Sequence, residues 1–230
     1  MFSHARCITF DLDDTLWPVA PVIEMAERKL YDWLHKHHPK ITAKYSHQAL
    51  SQHRQHWCQT VPELAHDVTQ LRWQHLVYLA KEFNYGQELA DQGLALFRQH
   101  RNRVTPFDTV EPVLSTLQKS YTIGAITNGN AQLEHTPLAK YFKFSISAAQ
   151  IGANKPNSSL FKAAASQAEV ELEQLVHVGD SAEADVIGAN RAGCCSVWFN
   201  PTRRVWPGGQ NPHAVIHCLS ELPALVNGCN

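Results

Sequence analysis

Four short polar clusters carry most of the chemistry this chain of 230 residues offers. They are Asp11-Leu12-Asp13-Asp14-Thr15, Thr127-Asn128-Gly129-Asn130, Asn154-Lys155-Pro156, and Gly179-Asp180-Ser181 with Asp185 shortly after. Together they supply acids, hydroxyls, an amide and one amine. Mg²⁺ takes hard oxygen ligands and keeps some of its waters. Asp11 and Asp180 offer carboxylates, and the Asp13 backbone carbonyl offers a third oxygen. A carboxylate whose repulsion from a phosphate dianion is so offset can attack phosphorus and form an acyl phosphate. Asp13, two residues on, is placed to protonate the leaving oxygen and later to take a proton from water. Thr127 and Asn128 suit hydrogen bonds to the transferring oxygens, and Lys155 suits the charge spread over them.

Taken singly, each cluster has a plainer explanation. Acids after a strand are often turn formers, Gly-Asp-Ser can cap a helix, and a lysine before proline is usually solvated. Asp14 is read as a surface or turn residue. The clusters gain meaning jointly, because their order and placement fit one mechanism.

The elements that must position them are apolar, β-rich runs at Cys7–Phe10, Tyr121–Ile126, Phe142–Ser147, Leu175–Val178, Cys195–Phe199 and Ala214–Cys218. Continuous apolarity predicts strands covered on both faces of a parallel sheet. Helical patterns lie between them, at Val110–Lys119, Ala131–Lys140, Ser158–Ala168 and Ala182–Ala192, and Gly193 stands where a helix end wants a left-handed residue. The alternation implies an α/β fold with a Rossmann-like, doubly wound parallel sheet. Ligands of such sheets bind beyond the carboxyl ends of the strands, where the clusters fall.

One block breaks the alternation. Between about residues 18 and 104 the periodicity is helical, at Pro21–His37, His47–Cys58, Val68–Phe83 and Glu88–Arg101. We expect an all-helical cap at 18–104 inserted in a core of 1–17 and 105–230, with linkers near 16–20 and 102–107.

Apolar residues make up 44% and charged residues 18%, as in a globular chain. Twenty Lys and Arg balance 21 Asp and Glu, which gives no reason to expect a nucleic acid or a membrane as partner. No secretory signal or membrane-spanning run is visible, so a cytoplasmic location is expected. The six cysteines, Cys7, Cys58, Cys194, Cys195, Cys218 and Cys229, form no C-x-x-C pair and are read as reduced thiols. The run His35-Lys36-His37-His38 is read as a solvated helix end.

The sequence resembles the haloacid dehalogenase superfamily of hydrolases. The carriers are FDLDDTL at Phe10–Leu16, ITNGN at Ile126–Asn130, NKP at Asn154–Pro156 and HVGDSAEAD at His177–Asp185. The resemblance implies that Asp11 is the nucleophile, Asp13 the general acid/base, Thr127 and Asn128 phosphate ligands, Lys155 their stabiliser, and Asp180 a Mg²⁺ ligand. It implies too that Asp185 supports the metal, directly or through water. True dehalogenases of the family lack the second acid of the first motif, since a departing halide needs no proton. Asp13 therefore favours phosphoryl transfer.

A finer resemblance is to bacterial phosphatases acting on flavin mononucleotide and on the phosphorylated pyrimidine of riboflavin synthesis. Its carriers are Ala125–Gln132, Leu175–Asp180 and HDVTQLRW at His66–Trp73. It implies a small organic phosphate as substrate, with His66 and Arg72 contacting it and Trp73 or Trp17 stacking on a flat ring. The cap would close during attack and open for release. The alternatives are a sugar phosphomutase of the same superfamily and a non-catalytic binding or regulatory protein on this fold.

Overall fold

A computed structural model describes residues 2–228. The chain divides into two compact units. One runs up to Pro18, then over Thr105–Gly129, and from Thr136 onward; the other holds Val19–Val104 and Asn130–His135.

The first unit is built on a six-stranded sheet. Its strands are β1 (Cys7–Phe10), β2 (Thr122–Thr127), β3 (Phe144–Ser147), β4 (Leu175–Gly179), β5 (Cys195–Phe199) and β6 (Ala214–Ile216), in the order β3-β2-β1-β4-β5-β6. All pairings are parallel. Every residue of β1 and β4 is buried, as expected of strands covered on both faces. The order reverses at β1, and ligand crevices form where it does so. Phe10 lies opposite Ala125 on one side and Val178 on the other. The residue after Phe10 therefore emerges between the ends of β2 and β4.

The second unit contains α1 (Val19–His37), α2 (Pro39–Lys44), α3 (His47–Cys58), α4 (Val68–Glu82) and α5 (Glu88–Arg101). Val22, Ala26, Leu30 and Leu34 recur every four residues and give α1 one buried stripe. That stripe joins a core with Ile41, Leu76, Leu79, Leu89 and Phe97. The helix starts earlier than Pro21 because proline fits a first turn, where its missing N–H would have no partner. Helix α2 was not anticipated; it is too short to show periodicity. His35, Lys36 and His37 form the exposed last turn of α1.

In the first unit, α6 (Val110–Leu117), α7 (Ala148–Ile151), α8 (Ser158–Ala168), α9 (Gly188–Ala192) and α10 (Leu222–Asn227) complete the fold. The helix expected over Ala131–Lys140 is absent. Two 3₁₀ turns stand there, Leu133–His135 and Ala139–Tyr141. Pro137 cannot donate within a helix, and the Thr136 hydroxyl accepts from the Leu138 N–H. Gly193 takes φ +92° and ends α9. The five described cysteines are free, and Cys229 lies outside the described residues. Among the described residues no helix is long and apolar enough to cross a membrane.

Candidate active site

The four clusters meet within the sheet unit, beyond the carboxyl ends of β1, β2 and β4. Asp11 follows β1 with its N–H bonded to the Val178 carbonyl at 2.9 Å. Its Oδ1 accepts from Lys155 Nζ at 2.6 Å. The same ammonium donates to Asp185 Oδ1 at 2.6 Å and to the Ile126 carbonyl at 2.7 Å. Three donors of one buried amine are thus filled, so Lys155 is fixed rather than solvated.

Each acid is shaped by its surroundings. Burial, with Asp185 and Asp13 nearby, raises Asp11 to about 8 against the pull of Lys155. Burial would raise Asp185 too, but Lys155 and His177 outweigh it and hold that carboxyl well below the usual range. Burial and the charge of Asp185 lift Asp180 to about 6, opposed by Arg204. Burial would lower Lys155, but Asp11 and Asp185 override it and raise the amine. The site therefore keeps Lys155 charged between two acids that titrate far apart.

Asp13 is aimed from below. Trp17, fully buried, donates Nε1–H to Asp13 Oδ1 at 2.9 Å. The loop closes through the Asp14 N–H to the Trp17 carbonyl at 2.7 Å, with Asp14 at φ 60°. Asp14 is a turn residue in a conformation that Asp tolerates. Trp17 was expected as a stacking surface for substrate; its burial rules that out and makes it the support of Asp13.

Thr127 ends β2, and its Oγ1 accepts from the Gly129 N–H at 2.9 Å. Asn128 departs from expectation. Its Oδ1 accepts from the Lys155 N–H at 2.8 Å, and its Nδ2 donates to the Lys155 carbonyl at 3.1 Å. The amide first clamps the Lys155 backbone, which leaves a single N–H for phosphate.

Asp180 follows β4 in a frame of its own. Its N–H bonds Thr15 Oγ1 at 3.1 Å, and its carbonyl accepts from Trp198 Nε1 at 2.9 Å and Arg204 Nη2 at 2.6 Å. Ser181 caps the next turn by accepting from the Ala184 N–H. That turn, Ala182–Ile187, is π-helical, and the N–H groups of Asp185 and Val186 both reach the Ser181 carbonyl. Such widened turns re-aim side chains, here carrying Asp185 in towards β4. A Cβ on Gly179 would stand 2.2 Å from the Asp185 carboxyl carbon, so only glycine admits this approach. Asp185 Oδ2 accepts from the Ser181 N–H at 2.9 Å, and Oδ1 accepts from His177 Nε2 at 3.0 Å. His177 in turn meets Thr9 Oγ1 through Nδ1 at 3.0 Å.

Thr9, Thr15, His177, Trp198 and Arg204 were not foreseen as site residues, and Trp17 was foreseen in a different role. His177 was the most findable, as a polar side chain within an otherwise apolar strand that leads into Asp180.

The donor set fits a hard dication. Asp11, Asp180 and Asp185 place one carboxylate oxygen each within 4.8 Å of one another. Carboxylates gathered this closely favour a bound cation, and all-oxygen ligation suits Mg²⁺. Mg²⁺ bound there would neutralise the acids and draw the anionic end of a substrate towards Asp11.

In the helical unit, His66 is half-exposed beside Asp67, whose carboxylate caps α4 through the N–H groups of Thr69 and Gln70. Arg72 is buried. It bonds Glu27 Oε1 at 2.8 Å, and its guanidinium carbon lies 3.4 Å from the Phe97 ring centroid. The expectation that Arg72 meets substrate therefore gives way to an internal role, fixed by Glu27 on α1. Trp73 packs against the unit's core and donates to Asp91 at 2.8 Å, so it too is engaged within the unit.

At the switch point of the doubly wound sheet an aspartate meets a buried lysine, with a second acid two residues on and two further carboxylates that could together hold a cation, an arrangement that suits a hydrolase. Residues 5–193 match the haloacid dehalogenase-like hydrolases, and the chain belongs to that family. It is 33% identical to the 5-amino-6-(5-phospho-D-ribitylamino)uracil phosphatase YigB of Escherichia coli over 97% of both chains. Identity to the mouse N-acylneuraminate-9-phosphatase is 27%, over 97% of this chain and 94% of the relative. A crystal structure described as a 2-haloacid dehalogenase from Pseudomonas syringae superposes with a TM-score of 0.90 at 37% identity, covering 97% of this chain and 98% of that one.

Proposed function

We propose that this protein is a Mg²⁺-dependent phosphomonoesterase acting on a small organic phosphate through an aspartyl-phosphate on Asp11. The observation that carries this reading is Lys155 Nζ, shared at 2.6 Å between Asp11 and Asp185 beside Asp180. Asp11 attacks phosphorus, the ester P–O bond breaks, and Asp13 gives its proton to the leaving oxygen. Water then attacks the acyl phosphate, Asp13 takes the water's proton, and inorganic phosphate leaves with Asp11 restored. Lys155 and Thr127 face the charge that spreads over the phosphoryl oxygens.

For the substrate we propose 5-amino-6-(5-phospho-D-ribitylamino)uracil, with flavin mononucleotide as a second ester. Likeness to the riboflavin-pathway enzyme over nearly the whole of both chains supports this choice. His66 is the residue of the helical unit we retain as a candidate substrate contact.

A second reading, dehalogenation of a 2-haloacid, is favoured by the name of the Pseudomonas syringae structure. Asp13 with its dedicated Trp17 hydrogen bond argues against it, because halide departure takes no proton. The test is release of phosphate from a panel of metabolite phosphates, and of chloride from 2-chloropropionate, each with Mg²⁺ and with chelator. Metal-dependent phosphate release with preference for the ribitylaminouracil ester is expected. Metal-independent chloride release in its place would overturn the proposal.

A further inference from the structure

The helical unit contains a partly open cavity of about 20 Å³, apart from the acids described above. It is lined by Glu27, Arg54, Arg72 and His75 and by leucines that include Leu50 and Leu76. A space of roughly 10–15 Å³ already admits one water-sized body.

Its polar wall is out of balance. Arg72 is 6% exposed, yet its Nε and Nη1 have no hydrogen-bond partner among the described residues. Arg54 Nε is buried and equally without a partner. Both guanidinium groups bind the same acceptor, Glu27 Oε1, at 2.9 and 2.8 Å. The buried Arg72 and the half-buried Arg54 thus share one negative charge. His75 adds no positive charge, because burial and the neighbouring His53, Arg54 and Arg72 press it down to about 3. A buried charge left uncompensated is costly, as is each orphaned donor.

Water is a poor remedy. Three guanidinium nitrogens need an acceptor, whereas a water would bring two further protons of its own into a wall largely of leucine. An anion accepts from all three and donates to none. The excess of one positive charge fits a monovalent species, and the volume fits a monatomic one.

We propose that this cavity binds a single monovalent anion of halide size, held by the guanidinium groups of Arg54 and Arg72. The site joins three helices, with Glu27 on α1, Arg54 on α3 and Arg72 on α4. It matters most for α3, which has no buried residue of its own. That helix is tied to its neighbours by the Arg54–Glu27 pair, by His53 Nδ1 to His75 Nε2 at 2.9 Å, and by ring contacts of Trp57 with His75 and Tyr78. An anion adds a further tie at the same place.

The proposal is independent of the phosphatase reading and is tested without activity. The full chain is moved from gluconate into chloride or bromide at constant ionic strength, and melting temperature and amide exchange are followed. A saturable rise in melting temperature is expected, with slowed exchange concentrated in His47–Cys58. Crystals grown in bromide should show an anomalous peak within hydrogen-bond reach of Arg72. Arg54→Gln keeps an unbranched polar side chain at a half-buried position, and should weaken halide binding roughly tenfold or more by removing one charged donor. Identical melting and exchange in gluconate and chloride would overturn the proposal, as would unchanged halide affinity in Arg54→Gln or a cavity filled only by water in bromide.

Discussion

The side-chain amide of Asn128 grips the Lys155 peptide at both ends, accepting from its N–H and donating to its carbonyl. Asn128 stands just past β2, whereas Lys155 lies in the loop leading to α8. The clamp therefore carries the position of one strand end to the ammonium group that touches Asp11. Loss of Asn128 should act largely through Lys155. In a double-mutant cycle, Asn128→Ala and Lys155→Met are expected to be non-additive in kcat/KM by about 1–3 kcal/mol. Additive losses would assign Asn128 a separate role on the phosphate.

Asp11 holds its proton up to about 8, against an ordinary 3.8. A raised value in the folded state favours folding while the group is protonated. That contribution is complete below about pH 4 and is lost as pH rises through about 8. Without a dication, Asp11→Asn should therefore melt higher than the parent at pH 8, by about 2–4 °C for each kcal/mol relieved. At pH 4 the difference should vanish. The variant should fold and yet hydrolyse nothing; normal turnover would remove Asp11 as nucleophile.

Mg²⁺ should raise the melting temperature of the parent through mass action, and chelator should abolish both that rise and phosphate release. Asp180→Asn should need far more Mg²⁺ for the same rise. Calorimetric titration reads this without substrate. Equal Mg²⁺ affinity in the variant would place the cation elsewhere.

Trp17 reaches Asp13 through a single N–H. Trp17→Phe keeps most of the buried ring and removes that donor. We expect kcat to fall about tenfold or more with KM little changed, since a positioned general acid contributes about 10²–10⁴-fold. The loss should be larger for an alkyl phosphate, whose leaving oxygen needs the proton, than for p-nitrophenyl phosphate, whose does not. Equal losses on both esters would sever Trp17 from acid catalysis.

His177 bridges Thr9 and Asp185 deep in the sheet. His177→Phe fills the volume and leaves the Asp185 carboxylate without one of its donors. Stability should drop by about 1–3 kcal/mol, the cost of an unmet buried polar group. His177→Gln should recover part of the loss in kcat. No recovery, with stability restored, would restrict His177 to packing.

How much of this was legible in the sequence depends on which interactions fix each residue. The sheet and the convergence of Asp11, Thr127 and Asp180 were legible, because continuous apolar runs mark buried parallel strands and the polar residues begin where the runs stop. The first turn of the helix holding Pro21 was misplaced because proline reads as a breaker even where a first turn tolerates it. Ala131–Lys140 has helical spacing, but Thr136 and Pro137 offer local hydrogen bonding that competes with a helix. Arg72 was the instructive miss. A charged residue on an amphipathic helix reads as exposed, whereas its partners Glu27 and Phe97 lie far away in sequence. Trp17 misled in the same way, since the acceptor of its buried indole N–H is an acid expected to serve chemistry alone.

Phe10 is paired on both of its edges, to Ala125 and to Val178, so Asp11 inherits its place from two strands at once. A carboxylate located this way takes its position from strand register rather than from the chain that follows Pro18. The residues from Val19 to Val104 leave and rejoin the sheet unit without entering any of its strand pairings, so the fold uncouples the place of the Asp11 carboxylate from the make-up of the helical insert.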